Sequence, residues 1–145
     1  MKIEKKFITS EVVTAYSQCP RKAYLLLVTS NRGIPNEYMR IINQKSKKVE
    51  AQYIHELEAS HTDIEFYLSQ KHHWKSSYVI DVSLQHERYY IHRCILKKVE
   101  GESLWGNYSY EPIIFSQNYT IDKPQRINLC FVIHVLTYIQ QSLPK

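Results

Sequence analysis

Three glycines in 145 residues leave little room for a glycine-built phosphate site. The P-loop, the dinucleotide fingerprint and the nucleophile elbow all need glycine where backbone turns sharply or approaches a ligand, and none of them is present. Cysteine is as sparse. Cys19, Cys94 and Cys130 stand far apart with no CxxC pair, which argues against a disulfide framework and against a zinc knuckle. Long apolar runs are missing too. Stretches such as 25–28 and 130–133 fall far short of the roughly 20 residues that cross a bilayer. The N-terminus, MKIEKKFITSE, reaches acid and polar residues before a signal-peptide core forms. These absences lead to the expectation of a cytoplasmic protein with no membrane partner.

What is present suits one soluble domain over residues 1–145. The chain is 43% hydrophobic and 23% charged, the balance of a globular protein and not a disordered one. Its net charge of +5 is unevenly placed. Residues 1–48 hold ten Lys/Arg against three Asp/Glu, and residues 49–68 hold five acids with no Lys/Arg. A basic N-terminal surface fits contact with phosphates. A solvated helix face is the simpler reading of the same charges. The twelve tyrosines are spread along the whole chain, as amphipathic core-edge residues are, and not gathered as a base-stacking platform.

Periodicity predicts helices, then strands, then a helix. Thr9 and Ser10 are candidate caps for a first helix burying Val12, Val13, Tyr16 and Cys19. Pro20 opens a second helix that buries Tyr24, Leu25 and Val28. Gly33 and Pro35 mark a loop, and a long amphipathic helix runs from about Pro35 to Ala59. Its expected buried stripe is Tyr38, Ile41, Ile42, Val49, Tyr53, Ile54 and Leu57. Residues 64–68 suit a short strand or a helical turn equally. Residues 78–84 alternate as a strand. Residues 89–99 and 108–115 are rich in β-branched and aromatic side chains and form a hairpin. The stretch 100–107, with Gly101 and Gly106, predicts a connection longer than a two-residue turn. Asp122 and Pro124 start a strongly apolar closing helix over 125–142, ended by Pro144. The fold class expected is α/β (α+β), a small sheet flanked by helices.

Isolated histidines carry little chemistry here. His72 and His73 are adjacent, so on a strand they point opposite ways, and His86, His92 and His134 lack neighbours at ligand spacing.

One ordered set of motifs does match something larger: SEVVTAYSQCPRKAYLLL, a helix carrying KSKKVEAQYIHEL, YVIDVSL, the hairpin with YEPIIF, and a last helix ending IQQSLP. Together they resemble the N-terminal domain of RecB-like nucleases of the PD-(D/E)XK superfamily, relatives of the CRISPR-associated RecB-like exonucleases. The Cys-Pro-Arg-Lys-x-Tyr-Leu run is the most specific piece. The resemblance implies a restriction-endonuclease-like mixed sheet. It also implies a Mg²⁺ or Mn²⁺ site built from a helix Glu or His, a strand Asp, and an Asp/Glu two residues before a Lys on the next strand.

Carried over residue by residue, Glu50 fits the helix acid and the candidate metal ligand. The strand Asp falls at Cys94, which a hard cation would not choose. The acid and Lys of the next strand fall near Ile114 and Ser116, and neither is there. Glu111 is the one acid on that strand. An iron–sulfur cluster, as some relatives carry, would need Cys19 with three cysteines near the C-terminus, and Cys130 alone does not supply them. Cys19 is then read as a small buried residue. The chain ends soon after its last helix, where such proteins continue, so it resembles a degenerate or truncated nuclease domain.

Three readings follow. The first is a nuclease-fold domain without cleavage that binds DNA or RNA through Arg21, Lys22, Arg40, Lys45, Lys47 and Lys48, with no cofactor. The second is an active Mg/Mn-dependent nuclease with a migrated site drawn from Glu50, Asp81 or Glu111. The third is a protein-interaction module whose basic face meets another chain's acids.

Overall fold

Thr9 and Asn36 each turn a side-chain oxygen onto the first turn of a helix, accepting from Val12 N at 3.5 Å and Met39 N at 2.8 Å. Such caps satisfy N–H groups that have no partner inside the helix. A computed structural model describes residues 6–30, 33–34, 36–60, 62–67, 73–116 and 119–142. Along it run β1 (Ile8–Thr9), α1 (Ser10–Gln18), α2 (Pro20–Val28), α3 (Glu37–Ala59), β2 (Ile64–Phe66), β3 (Tyr78–His86), β4 (Tyr89–Ser103), β5 (Gly106–Ile113) and α4 (Lys123–Gln140). Pro35, His72 and Pro144 lie outside the described residues. Pro20 occupies the first turn of α2, and extended Cys19 divides the two short helices. Asp122 caps α4 in a reciprocal capping box with Gln125.

The five strands form one mixed sheet, so the α/β (α+β) class holds. Strands β3, β4 and β5 are an antiparallel meander, with β2 parallel to β3 and β1 parallel to β4. The undecided segment at 64–68 thus begins as a strand. Because β3 fills one edge of β4, strands β1 and β5 share the other. There β1 pairs at Tyr89 and Tyr90, and β5 pairs from Ile95 onward. Among the described residues, 91–94 have no strand partner on that edge.

Alternation sends Leu96 to one face and Ile95 to the other. On the first face α4 packs Phe131, Val132, Val135 and Leu136 against Val79, Val82, Leu84, Ile91 and Tyr110. On the second, Leu57 of α3 packs with Ile80 and Ile95. Alternation alone would place Asp81 on the α4 face, with Val79. Instead β3 gains one residue between Val79 and Val82, and β4 gains one between Cys94 and Ile91. Asp81 (φ 57°) and Arg93 (φ 52°) take left-handed backbone at these bulges. The two insertions cancel, so register resumes at Leu84↔Ile91. Val82 and Leu84 enter the core, and the charged pair is left to bond with itself. Arg93 Nε and Nη2 both donate to Asp81 Oδ1 at 3.2 Å.

At the other end of β4, Gln140 is fully buried and serves β5 like a neighbouring strand. Its Oε1 accepts from Tyr110 N at 2.9 Å, and its Nε2 donates to Tyr110 O at 3.2 Å. The Tyr110 ring meets Trp74 edge-on at 5.8 Å, and its hydroxyl donates to Ser76 O at 2.6 Å. Burial raises that hydroxyl well above its ordinary pKa, helped by Tyr108, Glu65 and Asp63.

Several expectations are corrected. The hairpin strands run on into 100–107 and close with Ser103↔Gly106, leaving a two-residue connection at Leu104 and Trp105. The Ser103 hydroxyl organises it, donating to Tyr108 O at 2.5 Å and accepting from Trp105 N at 3.1 Å. In α1 the buried residues are Val12 and Ala15, while Tyr16 and Cys19 are exposed. In α2 Ala23 is buried, with Leu26 and Leu27 partly so, and Tyr24, Leu25 and Val28 face solvent. In α3 only Leu57 is buried, with Tyr53 and Ile54 packed beside it. Short helices crossing a small core bury small residues at the crossing and leave large ones outside, an outcome that periodicity does not encode.

Two stability outcomes follow. Gln140→Leu deprives both Tyr110 backbone groups of partners and is expected to cost about 2–4 kcal/mol, read as a lower urea midpoint. Asp81→Val forces a β-branched residue into positive φ and is expected to cost at least about 2 kcal/mol, whereas Asp81→Gly relieves the backbone and costs about 1 kcal/mol or less.

Candidate functional site

The gap on the edge of β4 is where the chain makes a cleft. Residues 91–95 form its floor, residues 112–115 at the end of β5 one wall, and Gln125, Asn128 and Val132 of α4 another. Ser46 and Glu50 of α3 and Ser10 of α1 close it, around about 290 Å³. A larger opening of about 680 Å³ continues from it between α1 and α3, sharing Ser10, Ser46, Gln125 and Asn128 and adding Lys22, Tyr38, Met39 and Ile42. Local structure dictates this arrangement. The β4 bulge at Arg93 bends the strand where it lacks a neighbour, and α3 brings Ser46 and Glu50, one turn apart, over the opening.

Positions 50, 94 and 114, far apart in sequence, therefore line one cleft. These are the positions at which the resemblance asks for a helix acid, a strand Asp and a second strand acid. Glu50 is half-buried there. Cys94 keeps some surface at the residue level, yet its thiol is enclosed, and burial pushes it up to about 12. It is a neutral S–H at any ordinary pH and neither a thiolate ligand nor a nucleophile. Ile114 is apolar. Ser116 donates to Gln125 Oε1 at 3.3 Å. One carboxylate, an enclosed thiol and an isoleucine do not fit a hard divalent cation, which takes several oxygen ligands.

The other acids are elsewhere. Glu111 stands opposite Lys97 in the β4–β5 ladder and Asp81 is bridged by Arg93, and neither lines the cleft. Among the described residues no three His, Cys, Asp or Glu side chains are grouped to hold a metal ion. The Oδ1 atom of Asn128 is buried in the cleft wall with no hydrogen-bond partner. Sequence reading missed Asn128 and Arg93, and only the topology that gathers them marks them out.

The basic residues named from sequence are all exposed, Arg21 and Lys22 on α2 and Arg40, Lys45, Lys47 and Lys48 on α3. Lys22 alone of the six borders the groove. The four on α3 point away from the cleft side, which is taken by Met39, Ile42, Ser46 and Glu50. Glu11 and Asp122 also border the groove, so its charge is mixed. No helix among the described residues is long and apolar enough to cross a membrane.

No family model matches the chain, no curated protein matches it, and no solved structure matches it.

Thiol chemistry checks the site's environment. At pH 8 a disulfide reagent is expected to modify Cys19 and Cys130 quickly and Cys94 only on unfolding. The Cys94 proton is lost near 9 in the unfolded chain and near 12 in the folded one. Its share of stability is therefore full below pH 9 and falls as pH rises from 9 to 12. Cys94→Ala should flatten part of that alkaline loss in urea titrations.

Proposed function

We propose that this chain is a nuclease-fold module that has lost metal-dependent cleavage and binds DNA or RNA through the basic outer surface of α2 and α3. The supporting observation is the convergence of Glu50, Cys94 and Ile114 on one cleft with a single carboxylate among them. Proteins that cleave phosphodiesters with Mg²⁺ or Mn²⁺ need acids to hold the cation and polarise its water, and here two of three such positions hold side chains that do neither. Nucleic acid is then held by charge alone. Arg21, Lys22, Arg40, Lys45, Lys47 and Lys48 are long, exposed cations that contact phosphate without reading base sequence. The mixed charge of the groove favours the outer faces of the helices for this contact.

The experiment pairs two titrations. In calorimetry with Mn²⁺, wild type and Glu50→Ala should give the same negligible heat. Micromolar binding abolished by Glu50→Ala would overturn the loss of cleavage and restore the enzyme reading. In fluorescence anisotropy with single- and double-stranded oligonucleotides, log affinity should fall linearly with log salt, and Lys47→Ala or Arg40→Ala should each reduce the slope by about one unit or less. Absence of salt-sensitive binding would leave the protein-interaction reading in its place.

A further inference from the structure

We propose that the gap in the outer edge of β4 is a peptide-binding site, where an extended segment of a partner protein pairs with His92 and completes the sheet. Backbone direction settles which groups face the gap. Ile8 N donates to Arg88 O at 2.8 Å, so Arg88 turns its backbone groups toward β1. Alternation turns those of Tyr90 and His92 the same way. At the other end, Lys98 N donates to Ser77 O at 2.7 Å, on the β3 side, so Lys97 and Ile95 face β5. Tyr90 then meets β1 and Ile95 meets β5. His92, between them, presents an N–H and a C=O to the cleft, and among the described residues no strand pairs with it.

A strand edge specifies its occupant in a way that an apolar face does not. The donor and acceptor on His92 match the acceptor and donor of one residue in an extended chain. Residues 91–94 span about 13 Å at strand rise, and the cavity of about 290 Å³ suits a short segment. Both neighbours leave the edge clear, because β1 turns into α1 after Thr9 and β5 ends at Ile113. The outer edge of β5 is different. Gln140 closes it at Tyr110, and Pro112 has no N–H to offer.

Side chains of an inserted strand alternate between the two faces of the sheet. Ile91 packs toward α4, so His92 and the residue paired with it project toward α3. Ser46 and Glu50 stand over the cleft on that side, and Glu50 is its one carboxylate. Charge therefore selects Lys or Arg as the paired residue. Its two neighbours project toward Asn128 and Val132 of α4, where Asn128 Oδ1 has no hydrogen-bond partner. Arg40 and Lys47 do not line the cleft, so peptide and phosphate contacts use different surfaces.

A positional library of acetylated pentapeptide amides, titrated into the isotope-labelled full chain and followed by amide NMR, tests this. Pools with Lys or Arg at the central position should bind most tightly, shift the His92 amide and slow its hydrogen exchange. Glu50 is half-buried on a helix, so Glu50→Gln should keep the native circular-dichroism spectrum while weakening those pools about threefold or more. Methylating the central peptide nitrogen removes the hydrogen bond to His92 O and should weaken binding about tenfold. A library in which no pool moves the His92 amide, or a methylated peptide that binds as well as its parent, would overturn the proposal. Arg40→Ala with Lys47→Ala should leave peptide binding unchanged while lowering oligonucleotide affinity, which separates failure here from failure of the nucleic-acid reading.

Discussion

Strand β4 is asked to serve two cores at once, and its geometry follows from that demand. Its N-terminal part must turn Ile91 toward α4, and its C-terminal part must turn Leu96 the same way while Ile95 faces α3. Leu96 lies five positions after Ile91, an odd step, so strict alternation would place them on opposite faces. One inserted residue at Arg93 resolves the conflict, and a second at Asp81 lets β3 follow. Each non-glycine residue in left-handed backbone costs on the order of 1–2 kcal/mol. The burial of Val82 and Leu84 offsets that cost, and the exposed Arg93–Asp81 pair, with both donors on Asp81 Oδ1, adds little. Register is what the bulges protect, since a slip of one residue would bury Asp81 and expose Val82 and Leu84.

The same bulge creates the candidate site. A regular β4 would accept one continuous neighbour along its outer edge. The bent strand accepts two, β1 at its start and β5 beyond Ile95. The interval between them opens into the cleft, which α4 and α3 close from the two faces of the sheet and α1 closes by packing on α4. The cleft is thus a consequence of how the sheet is completed. Its lining mixes polar side chains such as Ser46, Arg93, Gln125 and Asn128 with apolar ones such as Ile95, Ile114 and Phe115, and Glu50 is its one carboxylate. Fold and chemistry separate readily in this way, because packing keeps the hollow whether or not its lining reacts.

The cations of α2 and α3 are exposed, and α3 is basic over 37–48 and acidic over 49–59. A long helix packed only near its C-terminal end gains little from tertiary contact along the rest of its length.

Much of the fold was legible beforehand. Helix starts at Thr9, Pro20 and Asp122 are local events between residues a few positions apart, and cap chemistry reports them directly. Sequence marked α4 as a strongly apolar helix without naming its buried face, and the fully buried Gln140 went unseen. The resemblance singled out positions 50, 94 and 114, and the residues there, Glu50, Cys94 and Ile114, include one acid. Burial in α1, α2 and most of α3 was not legible, because apolar spacing states which residues share a face without stating whether anything covers that face. Nor were the paired bulges legible, since YVIDVSL alternates acceptably either way and only cross-strand pairing reveals the extra residue. Sequence by itself therefore determined the four helices, the three long strands and their order, while β1 went unseen and β2 stayed undecided. Tertiary structure alone decided that three distant positions share a cleft, that Asp81 bonds to Arg93, and that the basic face looks away from the hollow, because each depends on contacts between segments the chain keeps far apart.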